Sequence, residues 1–256
     1  MFRSLCTAAL VVLFASPALA DVTLKSTMTG GKLSGESTSY IKGLKMRTDS
    51  TMGGTPTSII IDLEGQKFIS LNHKKKEAVV SDMAKFRQDL DKTIKGAQAN
   101  ASLKPNGEKR DVSGRSCTGY DMNVAIPMAM GEGMEMTMVM SGPVFIAKGA
   151  PGSDDFKRFY LAAAEKGFIA NDPRAAKAAA QHTKGMTELY KAIADTGGIP
   201  YLMETSVKID GGGPMAAMMG KMMGGMGFTQ TITEVATDAV TADRFDVPAD
   251  YKVKTP

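Results

Sequence analysis

The sequence predicts an α+β fold, a mostly antiparallel β sheet packed with helices, on three observations. Short alternating segments separated by glycine turns fill residues 21–80. Helical segments follow, marked at 82–95 by apolar residues at helical spacing, and at 153–167 and the alanine-rich 173–195 by their opening and stopping residues. The chain then returns to alternation near its end.

Residues 1–20 read as a secretory signal peptide. Arg3 opens them, Ala8 to Ala15 is apolar, and Ala18-Leu19-Ala20 places small residues just before a cleavage point at Asp21. The apolar run is shorter than the roughly 20 residues of a membrane-spanning helix. A mature chain over 21–256, forming one domain in the bacterial periplasm, is the expectation.

The strand region begins with Val22 to Met28, which reaches a turn at Gly30-Gly31. Ser37 to Lys42, Lys45 to Ser50 and Thr57 to Leu63 follow, punctuated by Gly43, Gly53-Gly54 and Pro56. Lys67 to Leu71 and Ala78 to Val80 close an antiparallel meander. Ser81 or Asp82 caps a helix to about Lys95, with Met83, Phe86, Leu90 and Ile94 on one stripe. Gly96 to Gly107 is polar and reads as loop, and Arg110 to Val124 as a hairpin around Gly114 and Gly119. Glu135 to Met140 alternates as a strand, and Pro143 to Lys148 is extended. Ser153-Asp154-Asp155 opens a helix ending near Gly167, and Asp172-Pro173 opens an alanine-rich one stopped at Gly197-Gly198. The predicted final strands are Ile199 to Ile209, Phe228 to Ala236 and Phe245 to Pro248. Between the first two, 211–227 is a flexible glycine- and methionine-rich loop.

Composition narrows the function. Removing residues 1–20 leaves 236 of 256, enough for a sizeable core. The formal charge of +4 is small and dispersed, which argues against a nucleic-acid partner. Cys6 leaves with the signal, so Cys117 stands alone and no intrachain disulfide forms.

Three stretches carry a resemblance: Tyr40-Ile41-Lys42-Gly43-Leu44-Lys45-Met46-Arg47, Ser58 to Lys67, and Leu71-Asn72-His73-Lys74-Lys75-Lys76. With the ending Phe245-Asp246-Val247-Pro248-Ala249-Asp250-Tyr251-Lys252, they resemble a secreted bacterial domain family of unknown function. That family is itself similar to the periplasmic lipoprotein-carrier superfamily. Its members often close on Phe-x-Val/Ile-Pro-x-Gly-Tyr, and Asp250 stands here where they have glycine. The resemblance implies a curved antiparallel sheet, a half-barrel, with helices packed in or across its concave face. It also implies a hollow that holds a lipid or the acyl chain of a lipidated protein. It supplies no catalytic or ligand residues.

No catalytic constellation or cofactor motif appears. His73 sits in a basic bend and His182 on the alanine-rich helix, and both read as solvated or structural. Lys74 to Lys76 form a soluble turn or face anionic headgroups in transient contact with a membrane.

The methionines stand out: 20 in all, seven from Met122 to Met140 and six from Met215 to Met226. Alternation puts Met134, Met136, Met138 and Met140 on one strand face, where flexible thioethers suit a varied apolar ligand. Ile59, Ile61, Leu63, Met203 and Val207 are the other candidate lining residues. The competing reading is a Cu(I) site of thioethers at Met215, Met218, Met219, Met222, Met223 and Met226. The expectation is a non-catalytic binder of a hydrophobic ligand, with envelope copper handling as the alternative. The bland counterpart is that these faces simply pack on the helices.

Overall fold

The structure, a computed structural model, describes residues 21–30, 34–85, 88, 100–129, 135–166, 176–212, 217–218, 220–221 and 226–255. The expected signal segment lies outside them. So does most of the expected helix at 82–95, of which 83–85 and 88 are helical.

Strand β1 (Val22–Thr29) leads into a meander of β2 (Gly35–Lys42), β3 (Lys45–Met52), β4 (Thr55–Asp62), β5 (Lys67–Asn72) and β6 (Glu77–Asp82). The longer β7 (Asn100–Val112), β8 (Arg115–Ala129) and β9 (Glu135–Lys148) follow. Helices α1 (Ser153–Glu165) and α2 (Ala176–Asp195) precede β10 (Gly198–Gly211) and β11 (Met226–Ala236), and β12 (Lys252–Lys254) ends the series. All twelve strands form one curved, unclosed sheet in the order β12-β6-β5-β4-β3-β2-β1-β11-β10-β9-β8-β7. The two halves of the sheet join through the long-range pair β1–β11.

Several expectations need correction. The sheet is mixed, because β12 pairs with β6 in parallel. Residues 100–107, read as loop, are strand. β7 is an edge strand whose Ala101 and Leu103 pack on the larger core, while Lys104, Pro105 and Lys109 discourage pairing with other chains. The register shifts between Pro105 and Lys109. Gly119, read as a turn, lies inside β8 opposite that shift, where an added Cβ would come 2.5 Å from Asn106 Oδ1. The expected loop at 211–227 begins and ends in strand, at Gly211 and Met226. Phe245 ends a 3-10 turn (Ala242–Phe245) and not a strand.

The two helices form from stripes of matching period. In α1, Phe156, Phe159 and Ala163 are buried; in α2, Leu189 and Ile193 are. The N-cap of α1 is Gly152, at φ 77°, while the Ser153 hydroxyl turns back to donate to Ala150 O at 2.6 Å. Asp154 and Asp155 occupy the first turn, where carboxylates meet the positive end of the helix dipole. Among the described residues, no helix is long and apolar enough to cross a membrane.

The larger core joins the two helices to one face of the sheet. A smaller one, with Ile60, Ile69, Leu71 and Ala78, lies on the opposite face under Val240 and Phe245 of the C-terminal segment. Asp21 fastens that segment. Its Oδ2 accepts from the Val240 backbone N–H and from Lys42 Nζ, both at 2.7 Å. Asp21→Ala strands the buried Val240 N–H, and is expected to destabilise the fold by about 1–3 kcal/mol in urea unfolding. A loss under about 0.5 kcal/mol would mark the contact as dispensable.

Candidate ligand-binding face

Residues distant in sequence converge on one sheet face. Ile61 on β4 lies opposite Met46 and Phe68, Met46 opposite Ile41, and Ile41 opposite Val22. On the far half, Met140 lies between Val124 and Val207, and Met138 between Ile126 and Ile209. Of the residues proposed from sequence, Ile61, Leu63, Met140, Met203 and Val207 are buried in the larger core, with Ile59 and Met138 packed against it. Met136 is 3% exposed. Met134 lies outside the described residues.

Residues of both helices contact this face. Tyr160 directs its hydroxyl to Met46 Sδ at 3.8 Å, and Lys166 Nζ donates to Leu63 O at 2.8 Å. Gly185 lets α2 lie against β8, since a Cβ there would sit 2.9 Å from Cγ1 of both Val124 and Ile126. An aromatic cluster fills the junction. Tyr160 and Tyr190 stack with centroids 4.7 Å apart and planes 8° from parallel, and Phe156 lies 4.4 Å from Tyr160. Burial pushes both tyrosine hydroxyls above their ordinary pKa, Tyr160 well above it. A cavity of about 50 Å³ lies beside this cluster, walled by Leu24, Phe156, Tyr160 and Met203 with the polar Ser39 and Gln230. That holds a water or two, against about 300–1,000 Å³ for a pocket enclosing a drug-sized ligand.

The opposite face carries a polar network that sequence reading missed. Ser58, fully buried, donates to Asp49 Oδ1 at 2.5 Å, and Arg47 Nε donates to the same oxygen at 2.6 Å. His73 Nε2 is 2.6 Å from Ser58 Oγ, and His73 Nδ1 is 2.6 Å from the Tyr251 hydroxyl. A carboxylate oxygen only accepts, so the single Ser58 proton goes to Asp49 and His73 Nε2–H must donate to Ser58. A nucleophilic serine needs the reverse polarity and access to substrate. The pair instead clamps the C-terminal segment, helped by Arg47 donating to Arg244 O at 2.8 Å. This agrees with a structural His73. A polar pocket of about 250 Å³ opens beside it, with Glu36, Thr38, Asp49 and Thr51 in its wall.

Cys117 is 1% exposed, and burial raises its thiol pKa, away from reactive thiolate character. Among the six methionines proposed for Cu(I), Met218 and Met226 are exposed and the other four lie outside the described residues. Among the described residues, no group of three or more His, Cys, Asp or Glu is placed to hold a metal ion. His182 is helical, its side chain outside the described set.

No protein-family model and no curated protein matches the sequence. Among solved structures, the chain is similar to an uncharacterized conserved protein from Thermus thermophilus, at 8% identity and a TM-score of 0.42, over 93% of this chain and 91% of that one.

Proposed function

We propose that this chain is an exported, non-catalytic carrier of a hydrophobic ligand, a lipid or the acyl chain of a lipidated protein. In this reading α1 and α2 lie across the concave face of a half-barrel and act as its displaceable cover. One observation carries it. The apolar residues of β1–β5 and of β8–β10 converge on a single face, closed by the chain's own helix pair through an aromatic cluster. The cavity of about 50 Å³ beside Phe156 and Tyr160 is itself too small for an acyl chain, and in this reading the pair lifts to admit one. The signal pattern at 1–20 supports export, and the engagement of Asp21 by Val240 and Lys42 fits a mature chain starting there.

The test locks the cover. Gly185→Cys with Val124→Cys, in a Cys117→Ala background, replaces the 2.9 Å approach of α2 to β8 with a disulfide. Reduced protein is expected to bind a dansyl-labelled fatty acid, and oxidised protein to lose that binding until reductant is added. Equal binding in both forms sinks the lid. Binding in neither form, with none by the parent, sinks the carrier.

A further inference from the structure

The face under the helices changes character along the strands in a way the carrier reading leaves unused. The row Val22, Ile41, Met46, Ile61 and Phe68 is wholly apolar. Two residues along each strand, the next row is Leu24, Ser39, Thr48, Ile59 and Ser70. Two further along, it is Ser26, Ser37, Ser50, Thr57 and Asn72. The rows are spaced about 6–7 Å apart, two strand residues each.

The hydroxyls of this band bond to one another across strands. Ser26 and Ser37 are 2.8 Å apart, Ser39 and Thr48 2.9 Å, and Ser50 and Thr57 3.1 Å. A hydroxyl carries one proton and two lone pairs, so each pair still has acceptor capacity facing outward.

An ordinary solvated sheet face presents lysine and glutamate. Here the charges of these strands fall on the other face: Lys25, Glu36, Lys45, Arg47 and Asp49 alternate away from the band. From Ser26 to Asn72 the polar row carries none. The first charge along it is Glu77, already paired with Lys254 Nζ at 2.7 Å. Apart from Ser26, which is buried, the band is half-buried and built of short side chains. It joins the apolar seat directly, because Ser26, Ser39 and Gln230 share the wall of the small cavity with Phe156 and Tyr160.

We infer that the ligand is an amphiphile with an uncharged, hydroxyl-rich headgroup, of the glycolipid kind. Its chain takes the apolar row beneath the helix pair, and its headgroup lies along Ser37, Ser39, Thr48, Ser50 and Thr57. This rests on the carrier reading and adds the headgroup to it. With no cation on the band, an anionic phosphate finds no counter-charge there, while sugar hydroxyls find donors and acceptors at once.

Calorimetric titration of the full chain, below micelle-forming concentrations, tests this with decyl glucoside, decyl phosphocholine, decanoate and free maltose. Decyl glucoside is expected to bind about tenfold more tightly than the other two chain compounds, a difference of about 1.4 kcal/mol. Ser37→Ala, Ser50→Ala and Thr57→Val together should erase that preference and leave decanoate binding unchanged. Thr38→Val with Thr51→Val, on the opposite face of the same strands, should preserve it. Should the triple variant lose its circular dichroism signal, the near-isosteric Thr57→Val alone is read instead, with a partial loss expected. Equal binding of the three chain compounds by the parent overturns the headgroup site and leaves the carrier standing. Maltose binding as tightly as decyl glucoside also overturns it, and binding of none removes the carrier as well.

Discussion

Gly142→Ala is expected to cause the largest loss of stability of any glycine-to-alanine change among the described residues. Gly142 lies in β9 at φ 151°, and an added Cβ would collide with the backbone carbonyl of Glu204 on β10. Neither partner can yield cheaply, because both are main chain in a paired ladder between Val144–Met203 and Ser141–Ser206. Strain of about 1–3 kcal/mol at an unusual φ adds to about 1–3 kcal/mol for overpacking. The sum is a large part of the roughly 5–15 kcal/mol that keeps a domain folded. Urea unfolding should show a midpoint far below the parent's, or the protein should accumulate insoluble. Gly149→Ala is the control, at φ 64° with nothing within 4 Å of the added Cβ, and should lose much less. Equal losses at the two positions would mean that β9 and β10 part freely at Gly142.

Phe156→Ala separates a cover from a core. Phe156 is 2% exposed on α1, packs on Tyr160, and forms part of the wall of the 50 Å³ cavity. Truncation should destabilise by about 3–5 kcal/mol, through lost burial and the enlarged void. The two readings then diverge. If the helix pair is a lid over an acyl seat, weakening it raises the fraction of open protein and widens the seat. The dansyl-labelled fatty acid should then bind more tightly than to the parent. If the pair is only core, stability falls and affinity does not rise. The measurement is a probe titration at a temperature where circular dichroism shows the variant still folded.

The same physics explains what could be read in advance. Alternation and glycine turns placed β1 to β6 within a residue or two of their observed ends, because each pairs with a neighbour joined by a short turn. The helices at 153–165 and 176–195 were legible from flanking signals in the sequence, Ser153-Asp154-Asp155 opening the first and Gly197-Gly198 stopping the second. The alternation of Met136, Met138 and Met140 put them on one strand face. β7 escaped because its core-facing Ala101, Leu103 and Val112 are interrupted by Lys104, Pro105, Asn106 and Gly107, which read as loop until β8 pairs with them. Phe245 and Val253 were equally opaque. Whether the ending makes a strand depends on which edge it reaches, and β6 lies far back in the chain.

For the candidate site, the sequence by itself determined which side chains share a face within each strand, because a period of two is local and steric. Tertiary structure alone decided which of those faces meet. Long-range register set Ile61 and Met140 in one core with Phe156 and Leu189 of the helices. It put Ser37 beside Ser26 and Ser50 as an uncharged band, and brought His73 to Ser58 and Tyr251. These contacts depend on strand pairings across most of the chain, such as Thr23 with Ala236, and no local pattern encodes such a pairing.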